Sequence, residues 1–257
     1  MTKLLLSDKR VDMFLRDDVG RNALFYAACH DEYEVLEMYL QDGRLDPNEA
    51  DENLNTPVLC TGDWMCLRFL VNDTRVDLNK ANNEGMTPLM QNVSWELLGN
   101  VRRLLDSGRV DVNLVNHEGN TAMMMAISRQ EAFGRREELN CCTMVRWMLG
   151  SGRVKLDLVN ANGETALMLA VKTGNTKVVE IILATGHRMM DVKDAQGITM
   201  IEHAIRNEDM EMLVLLLRTG EVCVTGEMIE SCPSEAIRAM LVARQEMEEQ
   251  GTESSFG

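Results

Sequence analysis

The chain has 257 residues, 41 acidic against 26 basic side chains and a formal net charge of −15; such a surface repels nucleic acid, because phosphate binding needs clustered Lys and Arg. Hydrophobic residues make up 45%, aromatics only 4%, and Met reaches 20, so the expected interior is aliphatic and thioether-rich, a core that re-packs easily. No run of about 18 apolar residues is present to cross a membrane, Met1–Ser7 is too short for a secretory signal, and seven cysteines without a C-x-x-C pair argue against a disulfide framework. The expectation is a cytoplasmic protein with reduced thiols, the nucleus also being open to it.

In chain order, residues 1–16 already lie inside a structural unit. Leu5-Leu6-Ser7-Asp8-Lys9-Arg10-Val11-Asp12 lines up with Leu104-Leu105-Asp106-Ser107-Gly108-Arg109-Val110-Asp111, which reads either as a half-repeat cap or as the edge of a longer array. One short phrase then recurs six times: an Asp or Asn, usually Gly three later, Thr or Asn two further on, then small and apolar residues. Its copies begin at Asp17, Asp51, Asn82, Asn116, Asn160 and Asp194 and end at 22, 56, 87, 121, 165 and 199, with intervals of 34, 31, 34, 44 and 34. A period in this range marks a solenoid, and the six units are bounded as 17–50, 51–81, 82–115, 116–159, 160–193 and 194–224.

Unit 160–193 shows the design most fully. Asn160 and Gly163 favour a tight reversal, and Thr165 is placed to cap a helix, as are Thr56-Pro57 and Thr87-Pro88, where Pro suits the first helical position. Ala166 and Ala170 give the first helix a thin face, and a second helix carries paired apolar residues four apart, Val178, Val179, Ile182 and Leu183. Helices this short are marginal alone, so stacking is obligatory. Gly43, Gly108, Gly152, Gly186 and Gly220 then sit where a left-handed terminator is needed. Unit two is about three residues short before Gly62 and should be the loosest; unit four holds about ten extra residues within Ser128–Asn140, read as a docking protrusion or a tolerated insertion. Residues 225–246 are expected to form a degenerate capping helix pair, and the acidic, then Gly- and Ser-containing residues 247–257 to be disordered.

These units resemble ankyrin repeats, most clearly at Gly163-Glu164-Thr165-Ala166-Leu167-Met168-Leu169-Ala170, Gly119-Asn120-Thr121-Ala122-Met123-Met124-Met125-Ala126 and Gly85-Met86-Thr87-Pro88-Leu89. The resemblance implies an all-α ankyrin-repeat solenoid of stacked helix-turn-helix units with short hairpin fingers. It implies a non-catalytic protein–protein interaction module, or alternatively the recognition arm of a larger enzyme or ubiquitin-ligase adaptor. Two departures stand out: the family's histidine is replaced by Phe25, Leu59, Met90, Met124, Met168 and Glu202, and each exit loop is about one residue longer than usual. Family partners contact the hairpin tips and the exposed side of the first helices, which carries over to Arg21, His30, Glu52, Asn83, Glu84, Met86, Trp95, His117, Glu118, Asn120, Asn162, Glu164, Lys172, Gln196 and Arg206. Ankyrin repeats with an Asp-x-Asn exit and a leucine eight residues before the Asn resemble substrates of an asparaginyl hydroxylase; Asn113 fits, and Asn48 fits more weakly because Pro47 intervenes.

Catalysis finds little support, for no phosphate loop, G-x-G-x-x-G or G-x-S-x-G occurs, and His117-Glu118 lacks the second histidine of a zinc-protease helix. Four histidines fall in separate units, so neither a metal site nor a cofactor is expected. Cys141-Cys142 reads as packing at a helix start, and the Met123–Met125 triple as packing. Trp95 is expected at the surface as an aromatic anchor, Trp64 and Trp147 in the core. Glu52, Glu84, Glu118 and Glu164 place a carboxylate on four fingers, which would attract an Arg- or Lys-rich partner segment or, more blandly, remain solvated. No membrane or nucleic-acid partner is expected, and the protein is expected to be a monomer.

Overall fold

A computed structural model describes residues 12–129, 135–186, 191–222, 224–230 and 232–253, with the backbone alone at 135–138 and 247–253. Among them the regular elements are all helices: α1 (Ala23–Cys29), α2 (Tyr33–Asp42), α3 (Pro57–Cys60), α4 (Trp64–Asn72), α5 (Pro88–Ser94), α6 (Leu98–Asp106), α7 (Ala122–Ser128), α8 (Arg135–Gly150), α9 (Ala166–Lys172), α10 (Thr176–Leu183), α11 (Met200–Arg206), α12 (Met210–Leu217), α13 (Gly226–Glu230) and α14 (Glu235–Glu253). They form two compact units, Met1–Ala126 with Thr143–Val154, and Ile127–Cys142 with Lys155–Gly257. Within each, helix pairs stack side by side as an ankyrin-type helical solenoid does.

The recurring phrase folds for one physical reason. Its opening Asp or Asn accepts two backbone N–H groups with one side-chain oxygen, those two and four residues on: Asn82 takes Glu84 at 3.0 Å and Met86 at 3.0 Å, and Asp194 takes Gln196 and Ile198 at 2.9 Å each. This ties the turn into a finger before any helix forms. Successive fingers then bond through their backbones, His117 N–H donating to Glu84 O at 3.2 Å and Ala195 N–H to Asn162 O at 2.8 Å. The approach is so close at Gly85 (φ 76°) that a Cβ there would lie 2.9 Å from Asn116 Cα; only glycine satisfies both the left-handed angle and the contact. Unit two puts Leu54 in the same left-handed turn, at φ 60°.

The first helices start as their caps dictate. Asn22, Thr87, Thr121, Thr165 and Thr199 accept the N–H of the third helical residue. In α11 the residue at the family's histidine position, Glu202, completes a capping box by accepting the Thr199 N–H at 2.6 Å. Thr56 is the exception: α3 is a single turn, Leu59 N–H bonds the Thr56 carbonyl instead, and the Thr56 hydroxyl is buried without a hydrogen-bond partner. Unit two is nonetheless closed, with Val58, Leu59, Leu67 and Leu70 all buried. Each such side chain contributes about 1.5–3 kcal/mol.

The additional exit-loop residue has a structural use. Arg109 donates to the carbonyls of Val71 (2.8 Å) and Asp73 (3.1 Å) and to that of Val76, while Arg75 reaches Leu40 O (2.7 Å) and Gly43 O (3.3 Å), and Arg153 reaches Gly108 O (3.2 Å) and Val110 O (2.7 Å). Each of these three guanidiniums therefore binds the exit of the repeat before it, and Arg75 and Arg109 cap its helix end as well. A second ladder runs beside it through asparagine amides, Asn48 to Arg75 O (2.7 Å), Asn79 to Arg109 O (3.0 Å) and Asn113 to Arg153 O (2.9 Å).

Three expectations are corrected. Trp64 is not in the core but 54% exposed, because it is the first residue of α4, at the edge of the buried stripe formed by Cys66, Leu67, Leu70 and Val71. Part of the Ser128–Asn140 insert lengthens α8 to 16 residues, so Cys141 and Cys142 sit within a helix and not at its start; residues 130–134 lie outside the described residues. The tail expected to be disordered from 247 is helical through Glu253, as the helix-favouring Glu, Ala, Arg, Met and Gln of α14 allow. The half-repeat expected over 1–16 falls outside the described residues at 1–11, as do 254–257.

Candidate protein-binding surface

In the first unit, three consecutive finger tips present Glu52-Asn53, Asn83-Glu84 and His117-Glu118, all exposed. Their spacing is fixed by the finger ladder, in which Glu52 N–H donates to Val19 O (2.9 Å) and Asn83 N–H to Asn53 O (2.9 Å). Glu118 also accepts from the Asn120 amide at 3.0 Å. Three of the four carboxylates expected on the fingers therefore face solvent on neighbouring tips.

The fourth does not. Glu164 is 3% exposed, ion-paired with Lys172 on α9 and hydrogen-bonded by the Asn160 amide at 2.9 Å. Burial alone would raise its carboxyl, but Lys172 and the Asn160 and Asn162 amides outweigh that and hold it below its ordinary value. Met86 is likewise corrected: at 7% exposure it belongs to the core and can touch no partner. Both occupy the fifth place of the finger phrase, where the chain turns back over its own first helix. Arg21 at the same place is half-buried against Asp17 (2.7 Å) with its guanidinium 5.0 Å from the Tyr26 ring, and Asn55 bonds Asp51 at 3.0 Å. Side chains there brace the finger and are not tips.

The first helices end in exposed residues. His30 follows α1 and stacks on Tyr26, ring centroids 5.7 Å apart, and Trp95 caps α5 with 43% of its surface open. The Tyr26 hydroxyl donates to Asp17 at 2.7 Å. At Asp17 desolvation pushes upward, yet the Tyr26 hydroxyl, the Arg21 backbone and the Arg21 side chain together hold the carboxyl far below its usual range. Cys29 and Cys60, from neighbouring repeats, share a thiol hydrogen bond that raises Cys29 and lowers Cys60.

In the second unit Asn162, Gln196 and Arg206 are exposed, and Lys172 is committed to Glu164. Among its buried groups, His203 Nε2 lies 2.8 Å from Asp194 Oδ2. Asn48 and Asn113 are half-buried in the amide ladder of the first unit. Among the described residues no three His, Cys, Asp or Glu side chains gather to hold a metal, and no helix is long and apolar enough to cross a membrane.

Two features are not among the expectations from sequence. Tyr26 extends the exposed aromatic surface of α1; its signal was an aromatic where the equivalent residues are Cys60, Gln91 and Met125. The Arg75, Arg109 and Arg153 ladder was visible as an Arg before the apolar exit residue in successive units.

Residues 136–225 match a family model described as ankyrin repeats, three copies. No curated protein matches the chain. Among solved structures, the ankyrin repeat protein EF0377 covers 79% of this chain and 99% of its own, at 24% identity and TM-score 0.67. The ankyrin repeat domain of Bcl-3, a member of the IkappaB protein family, covers 84% and 91%, at 19% identity and TM-score 0.70. A chain from the predatory endopeptidase Bd0816 of Bdellovibrio bacteriovorus in complex with immunity protein Bd3460 covers 76% and 97%, at 22% identity and TM-score 0.57. Ankyrin repeats are generally protein–protein interaction modules without catalysis of their own. The family model thus places ankyrin repeats over residues 136–225, and the solved structures show that the fold of the chain is that of ankyrin-repeat proteins.

Proposed function

We propose that the chain is a non-catalytic binding module whose first unit grips a partner protein between its finger tips and the exposed ends of its first helices. The observation that carries this reading is the row Glu52, Glu84 and Glu118 on three backbone-bonded tips, with His30, Trp95 and Tyr26 exposed along the first helices of the same unit. Rigidly spaced carboxylates favour a segment rich in Arg or Lys, and an exposed indole supplies an anchor. The three structural likenesses support the fold that such a surface needs.

Quantitative affinity capture tests it. Proteins retained by the intact chain should be lost, and the salt sensitivity of their retention flattened, when Glu52, Glu84 and Glu118 are all changed to Gln. Identical retention and salt response would refute the role of the tips. By resemblance Asn113 is also proposed as a hydroxylation target, and its amide, held by Arg153 O at 2.9 Å, requires the exit loop to open first. Intact-mass measurement after incubation with an asparaginyl hydroxylase should show a gain of one oxygen; its absence ends that reading.

A further inference from the structure

Three of the second helices of the first unit turn a different chemistry outward. Helix α4 exposes Trp64 and, one turn on, Arg68; α6 carries Arg102 and Arg103; α8 carries exposed Arg146 and half-buried Trp147. The Arg103 guanidinium lies 5.9 Å from the Trp64 ring centroid and that of Arg102 lies 5.3 Å from Trp147, both within cation–π range. Beside these pairs Arg102 and Arg103 line a cleft of about 340 Å³ with Val71, Asn72, Gly99, Asp106 and Ser107. Gly99 leaves it open, since a Cβ there would meet nothing within 4 Å.

The charge of this face runs against that of the chain. Among the described side chains of α4, α6 and α8, Asp106 is the one carboxylate, 3.5 Å from Arg102, whereas α2 alone carries Glu34, Glu37 and Asp42. In a protein of net charge −15, solubility does not call for four arginines and two tryptophans on three neighbouring helices. Arg and Trp are the side chains that most often dominate binding energy, and guanidinium pairs carboxylate bidentately. We infer that this face docks an acidic segment of another protein, in which Glu or Asp carboxylates meet Arg68, Arg102 and Arg103 while a neighbouring side chain of that segment enters the cleft over Gly99 beside Val71. It is a second surface, opposite in charge preference to the finger tips.

The test uses the full chain and fluorescein-labelled probes read by anisotropy: a short peptide of alternating Glu and Leu, one of alternating Lys and Leu, and a single-stranded oligonucleotide. The Glu peptide should bind and weaken with salt. It should lose about tenfold in affinity to Arg102→Glu with Arg103→Glu, and a few-fold to the milder Trp64→Ala, with thermal melts confirming folded variants. The Glu52, Glu84 and Glu118 to Gln variant should leave it unchanged. No binding of the Glu peptide, equal binding by both face variants, or tighter binding of the oligonucleotide would overturn the inference. So would self-association of the chain that Arg102→Glu with Arg103→Glu abolishes, since a second copy would then be the occupant.

Discussion

Arg109 and Val71 are bonded across two repeats: the guanidinium on the third exit loop donates to the carbonyl at the end of α4 at 2.8 Å. With its further bonds to Asp73 and Val76 this one side chain ties three carbonyls at the helix end and exit of the second repeat to the third. Arg109→Met keeps the aliphatic stem and removes the donors, so it should cost about 1–3 kcal/mol in urea unfolding. Arg109→Lys should recover only part of that, because one ammonium cannot span several carbonyls; full recovery by Lys would mean that charge alone is at work.

Thr56 and Thr165 stand at equivalent places with opposite consequences. The Thr165 hydroxyl accepts Met168 N–H at 3.2 Å, whereas that of Thr56 is buried without a partner. Thr165→Val should therefore destabilise by about 1 kcal/mol, and Thr56→Val should be neutral or stabilising, since it removes a desolvated hydroxyl. Chemical denaturation of the pair decides it, and equal losses would contradict the assignment.

Leu54 holds a left-handed backbone at φ 60° with its side chain 48% exposed, in the turn position that Gly85, Gly119 and Gly163 fill elsewhere. A left-handed residue with a Cβ costs about 1–2 kcal/mol, partly offset by the greater unfolded-state freedom of glycine, so Leu54→Gly should stabilise by about 0.5–1 kcal/mol. Gly85→Ala should do the reverse by about 2–3 kcal/mol, as its Cβ would press on the Asn116 backbone at 2.9 Å. Melting curves of the two variants should move in opposite directions.

Acid should loosen both units. The carboxyls of Asp17, Glu164 and Asp194 all titrate below their ordinary values in the fold. At Asp194 burial opposes the shift, and the backbone N–H of Ile198 with the His203 ring outweighs it. A depressed carboxyl gives stability that is present above its unfolded value, 4.5 for Glu and 3.8 for Asp, and that is lost as pH falls through the lower folded value. Stability should thus decline from about pH 4.5 downward. Lys172→Met should shrink the Glu164 share and cost about 2 kcal/mol near neutrality, less than a fully buried pair because Lys172 is partly exposed. An acid limb unchanged in Lys172→Met would contradict the pairing.

The period of Asp, Asn, Gly and Thr made the helices and fingers legible, because each phrase specifies its own turn and cap by bonds within six residues. What was not legible depends on side chains meeting across repeats. From sequence Glu164 reads as a tip carboxylate, but Lys172 holds it against the repeat, and Met86 reads as variable surface although its place folds inward. The unit position of Trp64 points inward, while its actual neighbour, Arg103, comes from the next helix pair.

Hydrogen–deuterium exchange on the intact chain, alone and bound to a protein recovered by capture, tests the binding surface most directly. Slowed exchange should concentrate at the tips 52–53, 83–84 and 117–118 and around Trp95. Protection confined to other segments, with those amides unchanged in the complex, would contradict the proposed grip.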